Sequence, residues 1–199
     1  MPKKSPFYIV KTLIVISIML LSLSTSVYAK NKGFDSPCFA ISLGNNLNLI
    51  SKTEEKNDGF YRYVFASSSN DDAEQQMRVI VSSKKPEAGQ SLEDFQVASL
   101  GAMSAMFMDS YKLYQYINTP ENQKVLGEKP YKLKLGDTTF AGATMYFGNM
   151  DASFLVTRSH NMTYAFTLIS KNSNAQLRKN NLKMLTRQLQ SIQYQSCSE

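Results

Sequence analysis

Residue types on which many functions depend are scarce or absent in this sequence. It has no tryptophan, one histidine and two cysteines among 199 residues. The absence of tryptophan weighs against an aromatic platform for polysaccharides, since the indole ring offers the largest stacking surface. No CxxC motif or histidine cluster accompanies the cysteines, which argues against a reactive or metal-binding thiol pair.

The motifs of common catalytic sites are also missing. The sequence contains no GxSxG, no HExxH and no phosphate-binding glycine loop. His160 lies in the turn "RSHNM", where Ser159 is expected to point away from it and Asp151 is the carboxylate able to approach across a hairpin. We predict that His160 is a solvent-facing turn residue and that the protein is not an enzyme. A hydrolase built around His160 is the second alternative.

The N-terminal segment has the pattern of an export signal. Three lysines precede an uncharged apolar run from Leu13 to Leu23, and Val27 and Ala29 supply the small residues that signal peptidase reads. The run is too short for a bilayer, which needs about 20 residues. We predict that residues 1–29 are a cleaved signal peptide of the Sec route and that residues 30–199 form a single domain. The mature protein would lie in the periplasm or outside the cell, with no stable membrane anchor.

Charge and cysteine content agree with export. Loss of residues 1–29 removes three lysines and no acidic residue, so the formal charge falls from +6 to +3 and nucleic-acid binding is not indicated. Cys38 and Cys197 lie at opposite ends of the mature chain and are predicted to form a disulfide in an oxidising compartment. Such a bridge stabilises by about 4–5 kcal/mol in the chain-entropy model. The composition and short leader favour a bacterial source.

Alternating apolar residues predict six or seven antiparallel strands. In residues 59–67 both faces are apolar, which is typical of a strand covered on both sides, and the preceding "KTEEKND" is predicted to be a turn. The predicted strands are 47–51, 59–67, 75–83, 131–135, 138–147, 152–158 and 162–170.

Two segments have helical periodicity. The first spans 91–117, with Ser91 and Asp94 as a capping box and a core stripe of Leu100, Met103, Phe107, Tyr111 and Tyr114. The second runs from about Asn174 to Gln193, capped by Ser173 and Gln176, with a stripe of Leu182, Leu185, Leu189 and Ile192. Together with the strands they predict an α+β fold, an antiparallel sheet between helices in an α/β/α sandwich.

This element order resembles the PsbP-like superfamily. The resemblance includes the helix opening "SLEDF" and "LKLGDTTFAGATMYF", where Leu135-Gly136-Asp137 leading into Ala141 and Ala143 is similar to the family's "LGG…A" strand start. The family includes photosystem accessory proteins, a Ran-binding nuclear import factor and exported bacterial proteins of unknown role. The resemblance implies the sandwich fold, and no catalytic residue can be carried over by position.

Two weak metal sites are visible in the sequence. Met103 and Met106 are about 60° apart on a helix, but Met108 is on another side, so one helix cannot bring three thioethers to copper(I). We predict that Met103 is a core residue. Asp71, Asp72 and Glu74 offer oxygen ligands to calcium but lack the spacing and glycine of a calcium loop, and a solvated turn is the expected structure.

The terminal helix is markedly basic. Arg178, Lys179, Lys183 and Arg187 lie in a segment, Lys171 to Ser198, with five basic residues and no acidic one. The pattern suits either a solvated face or a docking surface for an acidic partner. We predict an exported, non-catalytic binding or accessory protein without a cofactor, acting through protein–protein contacts at an envelope or host target. The first alternative is a carrier of a small ligand, or of copper or calcium, in a cleft between sheet and helix.

Overall fold

A seven-stranded antiparallel sheet forms the centre of the protein, in the order β3-β4-β5-β9-β8-β7-β6. Its strands are β3 (Asn48–Glu55), β4 (Phe60–Ala66), β5 (Gln75–Ser82), β6 (Tyr131–Leu135), β7 (Thr138–Phe147), β8 (Met150–Ser159) and β9 (Met162–Lys171). A second sheet has the order β1-β2-β10, from β1 (Lys32–Asp35), β2 (Phe39–Leu43) and β10 (Gln193–Tyr194). Within the part of the chain that the structure describes, the α-helices are α1 (Leu92–Ser110) and α2 (Ala175–Leu189).

This computed structural model describes residues 32–44, 46–68, 73–110 and 130–197. The predicted signal peptide, Asp71, Asp72, Tyr111 and Tyr114 therefore lie outside the described residues, as does the predicted end of the first helix at residue 117. In the described part of the chain, no helix combines the length and apolar character needed to cross a membrane.

One face of the large sheet is covered by α2 and the small sheet. On β9, Tyr164, Phe166 and Leu168 point into this core, where they join Leu185 and Leu189 of α2. These three β9 residues alternate along the strand, and so all project from the same face of the sheet.

The opposite face is covered by α1. Leu100 and Phe107 of the helix are buried against Phe154 of β8 and against Ala165 and Ile169 of β9. Small residues on β9 allow the helix to approach the sheet closely. With helices on both faces, the predicted α/β/α sandwich is confirmed, and the large sheet has seven strands.

Several element boundaries differ from prediction; β8, for example, begins at Met150 and not at residue 152. β3 continues to Glu55, because residues predicted to be a turn pair with β4, and the turn narrows to Lys56–Asp58. α2 ends at Leu189, and Ile192 reaches the core from the turn that follows it. The N-cap of α2 is Asn174 and not Ser173, since the Asn174 side chain accepts from the amides of Gln176 and Leu177.

The two ends of the described domain are joined covalently and by hydrogen bonds. Cys38 and Cys197 form the predicted disulfide, with their Cα atoms 4.1 Å apart. The Tyr164 hydroxyl lies between the same two segments, at 2.9 Å from the carbonyl oxygen of Cys38 and 3.2 Å from that of Gln195. The disulfide therefore packs against the buried aromatic core that covers this face of the large sheet.

Candidate binding surfaces

Arg178 anchors α2 to the large sheet. Its Nε donates to Oδ1 of Asp151 at 2.9 Å and its Nη1 donates to the carbonyl oxygen of Asn172 at 2.7 Å. The two charged side chains are 13% and 7% exposed, for Arg178 and Asp151 respectively. The charge of Arg178 is therefore neutralised inside the structure, and this residue differs from the other three basic residues predicted as a docking surface.

Lys179, Lys183 and Arg187 form a basic stripe on the outer side of α2. All three are exposed, and among the described residues none of them forms an ion pair. Residues four apart on a helix are displaced by about 40°, so the three side chains follow one another along the surface. We call this surface the basic stripe.

Apolar side chains lie beside the basic stripe. Met184 is 40% exposed and lies three positions before Arg187, so the two side chains are neighbours on the helix surface; Leu177, which is 46% exposed, lies seven positions before Met184 on the same side of α2. Exposed methionine next to arginine is more typical of a protein interface than of a purely solvated helix face. The outer face of α2 therefore combines positive charge with apolar contact area.

A cleft of about 270 Å³ lies between α1 and the half of the large sheet formed by β4, β5 and β9. Its walls include Phe95, Met103 and Phe107 from α1, and three cationic residues line it: Arg62, Arg78 and Lys84. Among the described residues that line this cleft, none is acidic. The sequence pattern did not predict the cleft, although arginines interrupt the apolar pattern of β4 and β5.

A larger and shallower groove of about 670 Å³ lies at the ends of β6, β7 and β8. Most of its charged side chains are already engaged, since Lys132 contacts Glu93 at 2.9 Å. Arg158 donates to the carbonyl oxygens of Lys84 and Asn161. The smaller cleft is the better candidate for a ligand, because three cationic residues line it and its described lining includes no acidic residue.

His160 occupies a two-residue hairpin turn between β8 and β9. His160 and Asn161 have φ angles of 48° and 62°, the backbone pattern of a type I′ turn. Nδ1 of the exposed His160 is 3.0 Å from the Ser159 hydroxyl oxygen, so the expectation that Ser159 points away from His160 is wrong. The expected approach of Asp151 is wrong, because Asp151 lies at the other end of β8 and binds Arg178.

The residues predicted as weak metal ligands differ in how deeply they are buried. Met103 packs against the core under α1, whereas Met106 is 63% exposed. Glu74 is exposed at the start of β5, and Asp71 and Asp72 lie outside the described residues. Within the ranges that the structure describes, no group of three or more histidine, cysteine, aspartate or glutamate side chains is arranged to hold a metal ion.

Several solved structures resemble this fold, although their sequence identity to this chain is low. PsbP from the cyanobacterium Synechocystis (CyanoP) matches with a TM-score of 0.52 at 9% identity, covering 82% of this chain and 92% of that one. The Ran-binding protein Mog1p of Saccharomyces cerevisiae gives 0.47 at 10% identity, covering 82% and 95%. A structure from Bacteroides thetaiotaomicron gives 0.48 at 12% identity and covers 83% of this chain and 49% of that one, so this chain spans about half its length.

These comparisons bear on fold and not on ligands. No family model and no curated protein sequence matches the chain. At 9% identity the match to CyanoP shows a shared fold. The PsbP-like resemblance is therefore confirmed at the level of the fold, and the function has to be argued from the surfaces described above.

Proposed function

We propose that this chain is an exported accessory protein that acts by binding an acidic protein partner through the outer face of α2, without catalysis. The observation that carries the proposal is the basic stripe of Lys179, Lys183 and Arg187, which is exposed beside the apolar side chain of Met184. Positive charge steers an acidic partner to the surface, and the apolar side chains supply contact area that is removed from water on binding.

The position of α2 suits a docking role. Its inner side is held by Leu185 and Leu189 in the core and by the Arg178–Asp151 ion pair. A partner would therefore meet a preformed helix and would pay little ordering entropy for the backbone. The stripe can change charge without disturbing these inner contacts.

Export is supported by the N-terminal pattern and by the disulfide. Residues 1–29 have the charge and apolar pattern of a signal peptide, and disulfides persist in oxidising compartments. The expected mature N-terminus is Lys30. Fractionation of producing cells followed by N-terminal sequencing tests this part, and recovery of the full-length chain from the cytoplasm would contradict it.

Site-specific cross-linking in producing cells tests the docking surface. A photo-reactive amino acid replaces Asn180, which lies on the outer side of α2 near Lys183, or Asn57 in the turn between β3 and β4 as a control position. We expect one defined cross-linked product from position 180 and none from position 57. Mass spectrometry then identifies the partner, and an acidic contact surface on it is expected.

Charge reversal gives the decisive comparison. Lys183→Glu with Arg187→Glu should remove the cross-link at position 180 and leave the melting temperature within about 1–2 °C. Lys56→Glu with Lys134→Glu changes the net charge equally at exposed sites outside α2 and should leave the cross-link intact. A cross-link that survives reversal of the basic stripe, or that both double variants abolish, would overturn the proposed surface.

A further inference from the structure

We propose that the cleft between α1 and the large sheet is a binding site for a small amphiphilic anion, such as a medium-chain carboxylate. The apolar part of the ligand would lie between Met103 and the sheet, and its anionic group would face Arg62, Arg78 and Lys84. This site is on the sheet face opposite to α2, so the inference is independent of the proposed docking surface.

The floor and one wall of the cleft are apolar and largely fixed. Ile80 and Ala165 are paired across β5 and β9 and line the floor. Phe107 is buried, with its ring 5.4 Å from that of Phe154 in an edge-to-face contact. Phe95 is also buried, beneath the Arg158 guanidinium at 5.9 Å from the ring centroid. These contacts keep the cavity preformed.

Methionines form the adjustable part of the wall. Met103 is partly buried and Met106 is exposed, and both line the cleft from α1. Unbranched thioether side chains adapt to the shape of an apolar ligand at small cost. The two residues that first suggested a copper site therefore have a second use, as contacts for a hydrocarbon chain.

The cations lie beside the apolar floor. Arg62 is directly opposite Ile80 in the register of β4 and β5, and Arg78 is two residues before Ile80 on the same strand face. Arg78 Nε donates to Gln76 Oε1 at 2.8 Å, which directs its side chain along the strand. The third cation, Lys84, follows β5. Three positive groups, with no acidic residue among the described residues of the lining, give a local potential that favours an anion.

The volume limits the size of the ligand. At about 270 Å³ the cleft is near the lower end of small-molecule sites, which range from about 300 to 1,000 Å³. A single short chain suits this space, whereas a two-chain lipid or a folded peptide segment does not. The chemistry of the walls and the cations together selects an anion with one apolar tail.

Binding of decanoate to the full exported protein tests the inference. Decanoate below its micelle concentration is compared with decanol, which has the same tail without charge, and with inorganic phosphate, which has charge without a tail. We expect saturable heat in titration calorimetry and a rise in melting temperature with decanoate, because a ligand of the native state stabilises it by mass action. Decanol and phosphate should each bind at least about tenfold more weakly.

Three variants locate the site. Arg62→Gln with Arg78→Gln should weaken decanoate binding about tenfold or more while retaining the fold, since Arg62 is exposed and Arg78 is only partly buried. Ala102→Phe places a ring in the cleft from an exposed position of α1 and should block binding. Lys134→Gln removes one exposed charge on β6, outside the cleft, and should leave binding unchanged.

Four results would overturn the inference. Equal affinities for decanol and decanoate would show that the three cationic residues do not contribute to binding. Unchanged decanoate binding in both cleft variants would place the ligand elsewhere. Absence of decanoate binding would show that the cleft does not bind this class of ligand. The same conclusion would follow if the protein bound anionic vesicles but not free decanoate. Loss of decanoate binding in the Lys183 and Arg187 charge-reversal variant would also contradict a site on the α1 face.

Discussion

The Arg178 guanidinium and the Asp151 carboxylate meet at 2.9 Å, Nε to Oδ1, and join the first turn of α2 to the start of β8. Arg178 also donates to the carbonyl oxygen of Asn172, and the amide of Asn172 donates to the carbonyl oxygen of Asn149. The pair is thus part of a hydrogen-bonded junction between the end of β9, the β7–β8 turn and α2. This junction orients the helix that carries the basic stripe.

Removal of one partner of this pair should be costly. We expect Arg178→Ala to lower the free energy of unfolding by about 3 kcal/mol, because Asp151 is left charged and buried. The exposed Lys132–Glu93 pair provides the control, and Lys132→Ala should cost less than about 1 kcal/mol. Urea denaturation measures both. An equal effect of the two substitutions would mean that burial does not determine the strength of the Arg178–Asp151 pair.

Alkaline pH should destabilise the domain through its buried tyrosines. Burial raises the pKa of Tyr164 to about 12 and also raises the pKa of Tyr63 and Tyr194. The unfolded chain loses these protons near pH 10, so stability is unaffected below about pH 10 and falls as pH rises toward about 12. Urea denaturation between about pH 8 and about pH 11 should show this fall. Phenolate absorbance rising near pH 10 for all tyrosines while the fold persists would contradict it.

Reduction of the disulfide should weaken the domain without a change of fold. The bridge closes a sequence separation of 159 residues, for which the chain-entropy model gives about 5 kcal/mol. We expect the melting temperature to fall on addition of reductant. A Cys38→Ser, Cys197→Ser double variant should already have the lower value and should not respond to reductant. Two reactive thiols in the untreated exported protein would contradict the bridge.

Gly142 should not tolerate a side chain. Tyr131 lies directly across from it in β6, and a Cβ atom at position 142 would be 2.5 Å from Tyr131 Cε2 and 3.0 Å from Leu155 Cδ2. The Tyr131 ring is held by a hydrogen bond of 3.0 Å to Thr144 Oγ1. We expect Gly142→Ala to cost about 1–3 kcal/mol.

The matched control for Gly142 is Gly101 in α1. A Cβ at position 101 meets nothing within 4 Å. Gly101→Ala should therefore stabilise the helix by about 0.5–1 kcal/mol. Opposite signs for the two substitutions are the expected result in thermal unfolding, and a stabilising Gly142→Ala would show that the ring moves aside without cost.

The β8–β9 turn should accept a better turn sequence. Both His160 and Asn161 have positive φ, for which Asn-Gly is the favoured pair. We expect His160→Asn with Asn161→Gly to raise the free energy of unfolding, because Asn and Gly adopt positive φ at less steric cost. The same double variant removes the single histidine, so a hydrolytic activity present in the wild type and lost in this variant would restore the hydrolase alternative.

Much of the large sheet and the start of α1 could be predicted from the sequence, because their signals are local. Alternation of apolar residues reports the two faces of β9 within ten positions. The predicted cap is formed within four residues, since Ser91 Oγ accepts from the Asp94 amide and donates to the Asp94 carboxylate. The disulfide was predictable from the small number of cysteines and the predicted compartment.

The small sheet and the role of Arg178 depended on distant partners. β2 pairs with β10, whose two residues are about 150 positions away and have no strand pattern of their own. Arg178 has the same charge and helical context as Lys179, and its inward orientation depends on Asp151 in another element. Neither contact can be predicted from the local periodicity of the sequence.

The sequence by itself determined the alternation, the capping and the cysteine pair, because short-range sterics and hydrogen bonding act within a few residues. The tertiary structure alone decided which charges are neutralised, which remain on the surface of α2, and which converge on the cleft between α1 and the sheet. Burial and charge proximity are properties of chain segments brought together across the fold. For that reason the basic stripe and the cationic cleft become distinct sites only in three dimensions.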